Sequence, residues 1–178
     1  MIMVIERVEE YCLTEQTKNE ISDLLQNCFS DYPKDRIFFR QAPQFRLLAR
    51  EKQDLIAQMG VEYRDILIEQ KAFSIFGICD LCVRKDFRSR KVGASLIKEL
   101  ESLGKSSGVN FLVLMASEQD FYHKLDFIPV QNVCRWVILT KKQTLGVANR
   151  SLHDSLMIKK LGEDSWPEGL VDFMGHLF

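Results

Sequence analysis

The chain of 178 residues is 46% hydrophobic and carries 24 Lys and Arg against 25 Asp and Glu, a formal net charge of −1. That length and apolar share fit a single domain over residues 1–178 with a real core, and the balanced charge argues against a general nucleic-acid binder, which needs a basic domain. No apolar stretch has membrane-spanning length, Met1-Ile2-Met3-Val4-Ile5 is too short for a signal or an anchor, and five cysteines, an odd number, fit a reduced cytoplasmic setting with no membrane partner.

Met3-Val4-Ile5 reads as a first strand. Thr17-Lys18-Asn19-Glu20 has the form of a capping box, and Ile21, Leu24, Leu25, Cys28 and Phe29 after it make one helical stripe. Residues 30–44, with Asp31-Tyr32-Pro33 and then Pro43, break the periodicity and predict a long loop with a short helical turn. Residues 45–50 and 55–64 flank the polar Glu51-Lys52-Gln53-Asp54, a hairpin pattern. A strand over 73–83 follows the polar link Glu69-Gln70-Lys71. Residues 111–116 and 133–139 read as further strands, 141–154 as a polar stretch, and Leu156-Met157-Ile158 as a last strand. The sum is an α/β (α+β) fold, a mixed and mostly antiparallel sheet of six to seven strands with helices on its faces.

Between the strand at 73–83 and a helix from Val92 lies a basic elbow, Arg84-Lys85-Asp86-Phe87-Arg88-Ser89-Arg90-Lys91. Val92, Leu96, Leu100 and Leu103 then recur at helical spacing. The first N–H groups of a helix lack intrahelical partners and the summed peptide dipole is positive there, so a phosphate or pyrophosphate is the natural ligand. Arg88, Arg90 and Lys91 strengthen that preference. Cys79 and Cys82 have Cys-x-x-Cys spacing, but inside a strand, where residues three apart point to opposite faces. With no second pair for zinc, both read as structural thiols. His123, His153 and His176 have no paired spacing, and no metal site is expected.

Arg88-Ser89-Arg90-Lys91-Val92-Gly93 resembles the signature of the GNAT superfamily of acyl-CoA-dependent N-acyltransferases: Arg or Gln, two residues, Gly, one residue, Gly or Ala. Gly93 stands at the second glycine and Lys91 at the first. Phe121-Tyr122-His123-Lys124-Leu125-Asp126-Phe127 resembles the family's Phe-Tyr-x-x-x-Gly-Phe helix and turn, with Asp126 at the glycine. Together the motifs cover about residues 73–130. The resemblance implies a GNAT-like fold with acetyl-CoA as cosubstrate. It implies that the backbone of Ser89, Arg90, Lys91, Val92, Gly93 and Ala94, with Arg88, cradles the pyrophosphate. Leu81, Cys82 and Val83 would then run beside the pantetheine arm, and Tyr122 would lie near the cofactor sulfur.

Tyr122 is the candidate general acid for the departing thiolate, against the alternative of a core ring with one structural hydrogen bond. Asp80 is a candidate base, against a satisfied structural carboxylate, and alternation places it on one face with Cys82, opposite Cys79, Leu81 and Val83. Glu62 and Tyr63 are further base candidates. The expected reaction is acetyl transfer to a primary amine of a small molecule. The alternatives are a non-catalytic acyl-CoA-binding or interaction domain, and acetylation of protein N-termini or lysines, which needs an open peptide groove. The ends of the chain are loosely similar to aminoglycoside 2′-N-acetyltransferases, which would give Asp172 and the Phe178 carboxylate a cationic acceptor to bind. The other reading of the tail is an apolar segment docked on the sheet. Phe173, Leu177 and Phe178 would either make a homodimer contact or complete the core.

Overall fold

A computed structural model describes residues 3–140 and 142–178; Met1, Ile2 and Lys141 lie outside the described residues. In chain order the elements are β1 (Met3–Glu9), α1 (Glu15–Cys28), β2 (Phe45–Glu51), β3 (Asp54–Ile68), β4 (Lys71–Val83), α2 (Val92–Ser106), β5 (Phe111–Met115), α3 (Asp120–His123), β6 (Ile128–Pro129), β7 (Val133–Leu139), β8 (Thr144–Ser151), β9 (Leu156–Lys160) and β10 (Val171–His176). The fold is mixed α/β with a mostly antiparallel sheet, and among the described residues ten strands stand where six or seven were expected. The chain divides into two compact units, each made of two stretches: Met1–Val61 with Cys79–Leu100, and Glu62–Ile78 with Glu101–Phe178.

In the first unit β1 pairs antiparallel with β2, and β2 with β3 through the predicted hairpin. Helix α1 starts ahead of the expected capping box. The Thr14 side-chain oxygen accepts the Thr17 N–H at 3.2 Å, so Thr14 is the N-cap and Thr17 already lies inside the helix. The buried stripe Ile21, Leu24 and Leu25 packs with Leu13, Tyr32, Leu48, Leu55 and Cys82. Each such aliphatic side chain contributes roughly 1.5–3 kcal/mol when fully buried. Residues 30–44 hold turns and bends but no helical turn. The Ile37 carbonyl accepts instead from the fully buried Arg46 at 2.7 Å. Arg46 also donates to both Glu10 carboxylate oxygens, at 2.7 and 3.1 Å, and to Gln58 Oε1 at 2.8 Å. A buried guanidinium must have its donors met, and meeting them here fastens the loop to the strands.

In the second unit the strand order is β6-β9-β5-β4-β3-β10-β7-β8. β3 turns into β4 through Glu69 (φ +46) and Gln70 (φ +69), a two-residue loop whose left-handed pair matches the twist of the strands. β4 pairs parallel with β5 at Ile75–Ile78, and β9 lies antiparallel beside β5. The chain's tail, β10, is a strand inserted between β3 and β7. It runs antiparallel to the first at Val171↔Ile68 and parallel to the second at Val171↔Cys134. Phe173 is fully buried, and Leu177 and Phe178 pack against the same core as Ile66, Phe73, Phe111 and Trp136, so the tail completes this core. β8 occupies the stretch that reads as polar. Its side chains are almost all exposed and it ends the strand order, so no buried face imposes an alternating pattern.

Candidate functional site

The elbow closes the first unit's share of β4. The Arg84 N–H donates to the Ile56 carbonyl of β3 at 2.8 Å, and Lys85–Phe87 make one 3-10 turn. Phe87 is buried, with the guanidinium groups of Arg84 and Arg90 over its ring at 4.5 and 4.6 Å. Ser89 (φ +61) and Lys91 (φ +60) are both left-handed. The glycine-like backbone therefore persists at Lys91, against a steric cost of roughly 1–2 kcal/mol for a residue with a Cβ. The Ser95 N–H donates to the Lys91 carbonyl at 2.9 Å, the first bond of α2, so the N–H groups of Val92, Gly93 and Ala94 open the helix with no partner inside it. Three N–H groups at the positive end of a 15-residue helix, with exposed Arg90 and Lys91 beside them, suit an anion such as a pyrophosphate. Arg88 turns back instead: its Nε donates to the Val83 carbonyl at 3.2 Å and its Nη2 lies 3.6 Å from Cys28 Sγ.

Asp80 takes φ +53 within β4, so the regular alternation expected along 79–83 breaks there and cannot assign its face. Its carboxylate accepts the Tyr32 hydroxyl at 2.5 Å, and its carbonyl accepts from Gln58 Nε2. Gln58 Nε2 also lies 3.6 Å from the sulfur of Cys82, which is buried, while Leu81 and Val83 are half-buried. A polar chain, from half-buried Glu10 to buried Arg46 and Gln58, thus backs the kink in β4. Burial, with the Asp80 charge next in importance, holds the Tyr32 phenol far above its ordinary range and keeps it a donor. Tyr32, Arg46 and Gln58 escaped the sequence reading. The available signal was an arginine within the apolar run 45–49, with a glutamine two places along the facing strand from its Gly60 partner.

Tyr122 belongs to the second unit, in the four-residue α3. Its ring stands edge-on to Phe121 and Phe127, at 5.0 and 5.7 Å. Its carbonyl accepts the N–H groups of Leu125 and Phe127, and Asp126 closes the turn at φ +65, the left-handed position that a glycine would fill. Burial raises the Tyr122 phenol, keeping it in the protonated form that can donate. Glu62 is buried and engaged: it accepts from the Arg64 guanidinium, and its Oε1 lies 3.1 Å from His176 Nε2. His176, isolated by sequence spacing, is therefore part of a Glu62-Arg64-His176 cluster. Tyr63 is half-exposed, with its ring against Phe76. Asp172 accepts the Met174 N–H at 2.9 Å and pairs with Arg135 at 3.5 Å. Among the described residues no helix is long and apolar enough to cross a membrane, and no group of three His, Cys, Asp or Glu could hold a metal ion.

A family model described as an acetyltransferase (GNAT) domain matches residues 12–130. No curated protein matches by sequence. Among solved structures, a GNAT family N-acetyltransferase of Escherichia coli (YhbS) in complex with CoA shares 16% identity. It superposes with a TM-score of 0.64 over 96% of this chain and 88% of its own. A GNAT family acetyltransferase of Brucella melitensis in complex with acetyl-CoA, also 16% identical, gives 0.54 over 96% and 94%. A probable N-acyltransferase of Enterococcus faecalis gives 0.63 at 12% identity over 74% of this chain, which spans only 33% of that protein. At these identities the likeness is one of fold.

Proposed function

Because the chain belongs to the GNAT acetyltransferase family, we propose that it moves an acetyl group from acetyl-CoA, its cosubstrate, to a primary amine of a small molecule. In this reading residues 1–178 act as one N-acetyltransferase domain in a reduced cytoplasm. The observation that carries it is the left-handed backbone at Lys91, which keeps the elbow's turn in a glycine-like form without the glycine. Backbone N–H groups of residues 89–94 are the proposed pyrophosphate cradle, with Leu81, Cys82 and Val83 beside the pantetheine.

In the transfer an amine nitrogen bonds to the thioester carbonyl carbon and the C–S bond breaks. The amine must first lose a proton, and the departing thiolate, from a thiol of pKa about 8.5, must gain one. Asp80 is the proposed proton acceptor and Tyr122 the proposed donor. An aminoglycoside-like polyamine is the first acceptor class to screen. Asp172, which accepts the Met174 N–H and pairs with Arg135, is the carboxylate the tail would offer such a cation.

The test is calorimetric titration with acetyl-CoA followed by turnover on an amine panel. Wild type should bind saturably, and Gly93→Trp should not. Tyr122→Phe should bind within about twofold of wild type but turn over about 100-fold more slowly, the lower range for loss of a general acid. Asp80→Asn should lower kcat/KM more near neutral pH, where the carboxylate is ionised and the amine protonated, than at alkaline pH, where the amine has already lost its proton. Binding without turnover on any amine would favour the acyl-CoA-binding domain, and no binding by wild type would overturn the cofactor site.

A further inference from the structure

The loop of residues 30–44 sends one buried side chain to the kink in β4. Tyr32 packs against Phe29 and Phe39, whose ring centroids lie 5.9 and 6.0 Å from its own, and its N–H donates to the Phe29 carbonyl at 3.3 Å. A ring packed in this way brings its hydroxyl to one place, Asp80 Oδ2 at 2.5 Å, a length usual for an O–H donated to a carboxylate. The loop is itself tied down. Arg46 donates to the Ile37 carbonyl, and the Gln44 N–H donates to the Val61 carbonyl at 3.1 Å. From β3, Gln58 donates to the Asp80 carbonyl. The backbone and the carboxylate of Asp80 are therefore held from two separate elements, about a φ of +53.

We propose that Tyr32 is a positioning residue for the acetyl transfer, its hydroxyl fixing the rotation of the Asp80 carboxylate so that a lone pair is aimed at the acceptor's ammonium; this rests on the reading of Asp80 as the proton acceptor. A carboxylate has about four lone-pair sites, and the Tyr32 hydroxyl takes one. In the step served, the ammonium N–H bond breaks, its proton passes to an Asp80 oxygen, and the nitrogen keeps the electron pair with which it then bonds to the thioester carbon.

Base strength and placement pull in opposite directions here. A hydrogen bond to the ionised form favours that form, so the Tyr32 hydroxyl makes Asp80 a weaker base. Were strength alone at issue, losing the hydroxyl would speed the reaction. Placement has the larger effect, since a shift of about 1 Å in a reacting group can cost roughly 100-fold in rate. Tyr32 does not give up its own proton. Burial first, then the charge of Asp80 and the bond to it, raise the phenol far above its ordinary range, with Cys79 adding to the rise and Arg46 opposing it.

The test compares the full-length wild type, Tyr32→Phe, Asp80→Asn and the double variant, using acetyl-CoA and the amine of the panel that wild type turns over fastest. Tyr32→Phe should lower kcat about tenfold and leave the Kd for acetyl-CoA within about twofold. In the Asp80→Asn background the same change should cost less than about twofold, because no carboxylate is left to position. Without substrate, the carbon-13 carboxyl signal of Asp80, identified by its loss in Asp80→Asn, should titrate about one pH unit higher in Tyr32→Phe. A 3-fluorotyrosine placed at position 32, a more acidic phenol of nearly the same shape, should move that signal the other way and keeps the test readable if Tyr32→Phe misfolds. Losses that multiply in the double variant, faster turnover by Tyr32→Phe, or an Asp80 titration that neither change moves would overturn the proposal alone. Full turnover by Asp80→Asn, or none by wild type on any amine, would overturn the reading beneath it and the proposal together.

Discussion

At Cys28 the ionisation of one side chain sets a pH dependence of stability whose sign is fixed. Its folded pKa, about 6, lies below the ordinary 9.0, so the stabilisation is complete above pH 9 and is lost as pH falls through 6. Cys82 has the opposite shift, raised first by the neighbouring Cys28 and then by burial, so it works against the folded state once pH exceeds 9. The difference in urea midpoint between wild type and Cys28→Ser should therefore widen from pH 6 to 9 and narrow above 9. A difference that does not change with pH would remove the thiolate. Nothing in the sequence pairs these cysteines. The visible spacing is Cys79 to Cys82, while Cys28 meets the core cluster that holds Cys82 only through the packing of α1. Asp80 marks a similar limit, because alternation assigns a face only while φ stays extended, and here φ is +53.

At the scale of the element, the elbow joins a strand to a helix through two left-handed residues, neither of them glycine. Relief of the Cβ strain at Lys91, less the extra chain entropy of glycine, leaves a net gain of about 0.5–1 kcal/mol for Lys91→Gly. Urea unfolding should show that rise, and a fall would mean that Lys91 is held by contacts worth more than its strain. The elbow was legible because an apolar strand, clustered cations and a helical stripe follow one another without interruption. The hairpin of β2 and β3 was legible because four polar residues separate two apolar runs. α1 was legible in its stripe but not in its start, since Thr14 and Thr17 are both plausible caps and only the Thr17 N–H bond to Thr14 distinguishes them. β8 was illegible for the opposite reason: Leu145 and Val147 are exposed, so the strand is held by pairing with β7 rather than by a buried face.

For the whole molecule, local pattern gave the class of the fold but not the order of its strands. An apolar tail docked on a sheet and a tail inserted between two strands have the same composition. The difference lies in partners distant in sequence, Ile68 and Cys134 on either side of Val171. Phe173 shows what the insertion contributes. It is fully buried and packs edge-on to Phe178 at 5.7 Å, so Phe173→Ala should destabilise the protein by about 3–5 kcal/mol in urea unfolding. A cost below about 1 kcal/mol would mean that the tail adds little to the second unit's core.

The place of β10 also governs how the protein is made. Ile68 leaves the ribosome about 100 residues before Val171, an interval of roughly 5–20 s at ordinary rates of translation. Until then the edges that β3 and β7 keep for the last strand stay open, and open strand edges recruit other chains. Nascent chains of this protein should thus depend on chaperone protection late in translation, and cooling the producing cells should raise the yield of dispersed protein more than slowing the start of synthesis does.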